Sequence, residues 1–194
     1  MDLPHIYLAS RSPRRRQMLD MVGIKYTLLD MEVDEENHFA DNPEEYVMSL
    51  SEKKAREAAT MIEKGIVATA DTIVYIDGKI LNKPVDAEDA RRMLGMLSGR
   101  THTVYTGFTL LEVPDGKSVR QCGATEVTFR KLEAEEIEEY ISSGAPFDKA
   151  GAYGIQDDLS ALFVERINGD FYNVVGLPLP RFYLALKNFA NISK

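Results

Sequence analysis

The stretch from Ile66 to Ile76 constrains the fold more than any other part of the chain. Ile66-Val-Ala-Thr-Ala70 and Thr72-Ile-Val-Tyr-Ile76 form an apolar run interrupted only by Asp71. Such a run, ending at the turn signal Asp77-Gly78, reads as buried strand, with Lys79-Ile-Leu returning as its antiparallel partner. A carboxylate inside it costs several kcal/mol unless a cation or a metal ion meets it. The bland alternative is a strand-end turn in which Asp71 caps its own backbone. The continuation Thr72-Ile-Val weakens that alternative.

The rest of the chain alternates strand and helix signals. Ile6-Tyr-Leu-Ala9 reads as a buried strand, and Ser12-Pro13 then opens a helix that Gly23 ends. Lys25 to Asp30 predicts a second strand. Asn42-Pro43-Glu44-Glu45 places a cap, a proline and acidic residues at a helix start, and the apolar positions run to Ile62 with Gly65 closing. Asp86 to Leu97 and Glu133 to Ser143 predict two more helices. Thr101 to Val113 and Ser118 to Phe129, joined by Pro114-Asp-Gly-Lys, predict a long hairpin. Leu162 to Ile167 and Phe171 to Val175 flank Asn168-Gly-Asp as another, and Pro178 to Phe189 closes with a helix. Helices mixed with both crossover and hairpin strands imply one α/β domain with a mixed sheet.

A net charge of −8 argues against general nucleic-acid binding. It also means that any polyphosphate site must gather its cations locally or recruit a metal ion. No apolar run approaches the ~18 residues of a membrane span, and the N-terminus has the reverse order of a signal peptide, so a cytoplasmic location is expected. Cys122 is the single cysteine, which excludes an intramolecular disulfide and a zinc-cysteine site.

Four groups of residues carry candidate chemistry. In Leu8-Ala-Ser-Arg-Ser-Pro-Arg-Arg15, a strand runs into a helix N-terminus with free N–H groups, while Ser10, Ser12, Arg14 and Arg15 add donors suited to phosphate oxygens. A capped, solvated basic helix start explains the same residues. Asp71 is the second. The third is a pair of lysines: Lys54 falls on the apolar stripe of its helix, where an ammonium needs a buried anion or must snorkel, and Lys83 follows a strand in Leu81-Asn-Lys-Pro, as an exposed turn lysine also would. Glu35, in Val33-Asp-Glu-Glu, lies in an acidic run of the kind usually solvated. The fourth is Pro146-Phe-Asp148-Lys149-Ala-Gly-Ala-Tyr-Gly-Ile-Gln156, whose glycines and alanines suit close approach to a ligand or to another strand. His5, His38 and His102 lack metal spacing and read as structural.

In this order the motifs resemble the Maf family of nucleoside triphosphate pyrophosphatases. The likeness covers Ala9-Ser-x-Ser-Pro-Arg-Arg15, Asp34-Glu35, Lys54-Ala55, Ala70-Asp-Thr72, Lys83-Pro84, Leu97-Ser-Gly99, Asp148 to Gln156 and Asn173-Val-Val-Gly-Leu-Pro178. It implies a Maf/ITPase-like fold, a strongly twisted mixed sheet flanked by helices and a long hairpin, as one domain over residues 1–194, either a single body or two lobes with the substrate cleft between them. It implies cleavage between the α- and β-phosphates with Mg²⁺ or Mn²⁺. Asp71 matches the catalytic carboxylate, as base or metal ligand or both, with Glu35 as a further metal ligand. Ser10, Arg14, Arg15, Lys54, Thr72, Lys83, Asp148, Lys149 and Gln156 become substrate-binding or specificity residues, and Asp-Thr with the Gly-Ile-Gln run resembles the branch acting on dTTP and UTP, including modified pyrimidine nucleotides. A homodimer in the cytoplasm is the implied assembly. Members linked to septum formation leave a non-catalytic nucleotide-binding regulator as the alternative. One departure stands out: Asp157-Asp158 replaces the glycine that usually follows Gly-Ile-Gln.

Overall fold

In the computed structural model, residues 3–31, 42–157 and 159–192 are described. The strands are β1 (Ile6–Ala9), β2 (Tyr26–Leu29), β3 (Gly65–Ile76), β4 (Lys79–Leu81), β5 (Thr101–Val113), β6 (Ser118–Phe129) and β7 (Val164–Asn168). The helices are α1 (Pro13–Met21), α2 (Pro43–Ala59), α3 (Ala87–Leu97), α4 (Ala134–Ser142), α5 (Phe171–Val175) and α6 (Leu179–Ile192), with three short 3-10 turns between Ala145 and Phe163. One sheet has the order β2-β1-β3-β5-β6-β7, and β4 pairs with β3. β1 is parallel to β2 and β3, whereas β3–β4 and β6–β7 are antiparallel, so the mixed sheet expected from the sequence is present. No helix among the described residues is long and apolar enough to cross a membrane.

Two compact units share the chain. The first comprises Met1–Asp71, Thr106–Gly123 and Gly176–Lys194, and the second Thr72–Tyr105 and Ala124–Val175. In the first, Asn42 caps α2 by accepting from Glu44 N at 2.9 Å, as the cap-proline-acid pattern predicts. Helix α2 then packs Ala55 and Ala58 against Val67 and Ala9. Gly107 sets how closely it can lie. A Cβ there would come within 2.6 Å of the Val47 carbonyl carbon and oxygen, so α2 rests directly on the backbone of β5. In the second unit, α3 and α4 contribute Met93, Leu94, Leu97, Ile137, Tyr140 and Ile141 to a core with Val74, Val104 and Phe129. Asp86 caps α3 through Asp89 N at 2.8 Å, and Glu133 forms a capping box with Glu136.

Two expectations change. Helix α2 stops at Ala59 rather than running to Gly65, and Gly65 (φ 140°) instead starts β3 with its Cα against the Tyr7 ring. Phe171 to Val175 is a helix, not the return strand of a hairpin, and Leu162 and Phe163 precede β7 in a 3-10 turn. The side chain of Asp170 accepts from Tyr172 N at 2.8 Å, starting a helical turn. That turn carries Asn173 inward, where its amide donates to Val104 O and Thr125 Oγ1. The two bonds donated by this buried amide outweigh the β propensity of Val174-Val175.

Candidate active site

Asp71 lies in mid-strand, not at a strand end. The β1 pairing of β3 has its last partner pair at Leu8↔Ala68, and the β4 pairing begins at Val74↔Leu81, so Asp71 occupies the interval between the two. The residue is only 8% exposed. Lys54 supplies the buried cation: its Nζ donates to Asp71 Oδ1 at 2.6 Å, with the side chains 13% and 11% exposed. The apolar stripe of α2 therefore carries its lysine inward to meet a carboxylate, and each charge offsets the cost of burying the other.

The helix bearing Lys54 is fastened to the strand bearing Asp71 by hydroxyl groups. Thr69 shares a face with Asp71, since alternate strand residues point the same way. Its hydroxyl donates to Ser51 O at 2.6 Å, one turn before Lys54, while the Ser51 hydroxyl meets Thr109 Oγ1 at 2.8 Å and Met48 O at 2.9 Å. All three residues are almost fully buried. Sequence reasoning did not single them out. The legible signal was Gly107 within β5, because a glycine in a strand interior often marks close backbone approach.

Parallel register brings the Ser10 loop to the same edge. Two residues past the Leu8↔Ala68 pair, Ser10 is level with Ala70, one residue before Asp71. Ser10 is buried, and its Oγ accepts from Ser12 N and from Arg15 Nη1, both at 3.3 Å. Arg15 Nε donates to Gly176 O at 2.7 Å, which ties the start of α1 to the chain just before α6 and explains why the Gly176-Leu-Pro segment travels with the loop. Ser12 stands at the N-cap with Pro13 following, but its side chain makes no capping bond. Arg14 and Arg16 are half-buried on the first turns of α1. Thus Ser10, Arg15, Lys54 and Asp71 belong to one unit, beside a helix N-terminus that favours anions.

Thr72, Lys83, Asp148, Lys149 and Gln156 lie in the second unit. Thr72 is half-buried, and Lys83 and Gln156 are exposed, Lys83 in the turn after β4. Lys149 is buried and donates to Ala145 O and Asp148 Oδ1, each at 2.6 Å, with Asp157 Oδ2 at 3.0 Å. Gly151 (φ 68°) faces the Val74 side chain, where a Cβ would stand 2.7 Å from it, so this glycine serves an approach to β3. His102 is structural as expected: its Nε2 meets Tyr153 OH at 2.7 Å, Nδ1 has no hydrogen-bond partner among the described residues, and burial pushes its pKa down to about 3. Burial likewise raises the Cys122 thiol to about 12, which suits an inert cysteine. Glu35, His38 and Asp158 lie outside the described residues.

Comparison with known proteins shows the family of the chain. Residues 5–189 match the family model described as "Maf-like protein". The chain is 47% identical over 184 residues to a dTTP/UTP pyrophosphatase of Carboxydothermus hydrogenoformans, covering 95% of this chain and 98% of that one. Proteins of the same description from Chlorobium phaeovibrioides (44% over 191 residues; 96% and 98% covered) and Clostridium perfringens strain SM101 (46% over 186 residues; 95% and 96%) are similarly alike. A HAM1 protein from Coxiella burnetii shares the fold at 15% identity, with a TM-score of 0.54 over 96% of this chain and all of that one.

Proposed function

The chain belongs to the Maf family, and from that premise we infer that it is a nucleoside triphosphate pyrophosphatase preferring dTTP and UTP, releasing pyrophosphate and the nucleoside monophosphate. The observation that carries the reading is the buried Lys54–Asp71 pair at 2.6 Å, one residue from the level of the Ser10 loop. Ser10, the α1 N-terminus, Arg14 and Arg15 hold phosphate oxygens. Lys54 fixes the heading of the Asp71 carboxylate, and Asp71 orients and deprotonates the attacking water. Thr72, Lys83, Asp148 and Gln156 are carried over from the family motifs as residues that contact substrate or select the base.

A divalent cation fits this donor set. Mg²⁺ is ordinarily held by one or two carboxylates together with substrate phosphates, rather than by an all-protein cage. Lys54 takes one oxygen of Asp71, and a carboxylate has two, so Asp71 with Glu35 is a reasonable pair of ligands for Mg²⁺ or Mn²⁺. When bound, such an ion neutralises phosphate charge and acidifies water. The family likeness supports a cytoplasmic homodimer with a house-cleaning role.

Asp71→Asn tests the assignment. The variant should bind UTP by calorimetry as the native protein does and lose turnover by at least about a hundredfold, the usual scale for a general base. Undiminished turnover would refute the role of Asp71. A native protein that binds UTP and never cleaves it would instead make the chain a nucleotide sensor.

A further inference from the structure

The turn carrying Gln156 is clamped from within its own unit. Asp157 N donates to Gly154 O at 2.9 Å, which makes Gly154–Asp157 a β-turn with exposed Gln156 third and buried Ile155 second. The Ser160 hydroxyl donates to the same Gly154 O at 2.6 Å, and Ala161 N donates to Asp157 O at 2.9 Å. The Asp157 carboxylate is held as firmly: its Oδ2 accepts from Tyr140 OH on α4 at 3.1 Å and lies 3.0 Å from Lys149 Nζ. Lys149 is itself held in place: it donates to Ala145 O and Asp148 Oδ1, forms an ion pair with Asp157 Oδ2, and its side chain is 9% exposed. Gly154 makes room for the pair. A Cβ there would lie 2.6 Å from Asp157 Oδ2 and 2.7 Å from Lys149 Cε.

We propose that Asp157, through its contacts with Lys149 and Tyr140, is a positioning residue that fixes the Gln156 turn and so sets which pyrimidine the enzyme accepts. The proposal rests on the reading of Gln156 as a base-selecting residue. It also gives Lys149 a different part from the one its motif implies: it acts through the turn rather than by touching substrate. The chemistry lies in the carboxamide. Uracil and thymine present an N–H between two carbonyl oxygens, whereas cytosine presents a ring-nitrogen acceptor beside an amino donor. A carboxamide that can turn over matches either edge. The clamp fixes the backbone that carries the carboxamide, and so the depth and direction from which it meets the base; a site built to satisfy a particular hydrogen-bond pattern rejects the analogue that lacks it.

The experiment compares kcat and KM for UTP and CTP in the native protein, Gln156→Ala, Asp157→Asn, Tyr140→Phe and the Gln156→Ala/Asp157→Asn double variant, with thermal melts to establish folding. Asp157→Asn should narrow the UTP:CTP ratio of kcat/KM by roughly tenfold and Tyr140→Phe by roughly threefold, mainly through KM, as expected for weakened hydrogen bonds. In the Gln156→Ala background, where the preference is already lost, Asp157→Asn should change it no further. Should Asp157→Asn fail to fold, Tyr140→Phe carries the test. A preference lost in Gln156→Ala but intact in the folded clamp variants overturns the clamp alone. A preference unmoved by Gln156→Ala overturns the base-selecting role of Gln156 and this inference with it.

Discussion

Removing Lys54 as Lys54→Met leaves the Asp71 carboxylate in place without its cation. At 2.6 Å, two unit charges attract by about 6 kcal/mol at an effective dielectric constant near 20. Burial to 13% and 11% exposure costs several kcal/mol per ion, so the pair as a whole contributes little net stability. Either charge alone forfeits the attraction and keeps its penalty, a loss of about 3 kcal/mol, toward the low end for broken buried pairs because both side chains retain some contact with water. For a protein of this size that corresponds to a fall in Tm of roughly 6–12 °C. Asp71→Asn should lose a comparable amount, since it removes the anion that Lys54 Nζ meets at 2.6 Å. The double variant should lose clearly less than the sum of the singles, with a coupling of about 1–3 kcal/mol. Urea unfolding of all four proteins at pH 7.5 measures this directly. Strictly additive losses would show that the two charges do not form an energetic pair and would refute the reasoning.

Other substitutions probe the supports. Gly107→Ala puts a methyl group 2.6 Å from the Val47 backbone, which cannot yield without moving α2; it should cost about 1–3 kcal/mol in urea unfolding and reduce kcat by displacing Lys54. Gly95→Ala, in the last turn of α3 with nothing within 4 Å among the described residues, should stabilise by about 0.5–1 kcal/mol in the same assay. His102, held neutral by burial with its pKa lowered to about 3, contributes stability that is complete above the unfolded value near 6.5 and is lost as pH falls toward 3. Between pH 7 and 5 it should account for about 2 kcal/mol of lost stability, a slope that disappears in His102→Asn.

The sequence was most legible where local rules and tertiary structure agree. The caps at Asn42 and Asp86, the Asp77-Gly78 turn and the β5–β6 hairpin can be read from residue types because each is decided within a few positions. Asp71 was legible for a different reason: a charge in an apolar strand demands a partner, and Lys54 on the stripe of α2 was a cation that needed an anion unless it snorkelled to water. Less could be seen of what joins them. The contacts of Thr69, Ser51 and Thr109 are between hydroxyls far apart in the chain, and no spacing announces them. The helix at Phe171 was hidden because Val174 and Val175 favour strands, while the deciding bonds of Asn173 run to Val104 and Thr125. Asp157 was visible as a departure from the family pattern, but its partners Lys149 and Tyr140 emerge only in the folded unit.

The central claim concerns the bond that is cleaved. Phosphorus NMR of UTP incubated with the purified protein and Mg²⁺, without added inorganic pyrophosphatase, observes every product at once. The account predicts UMP and pyrophosphate in equal amounts, absent in Asp71→Asn; UDP with orthophosphate, or UTP left intact, would contradict it.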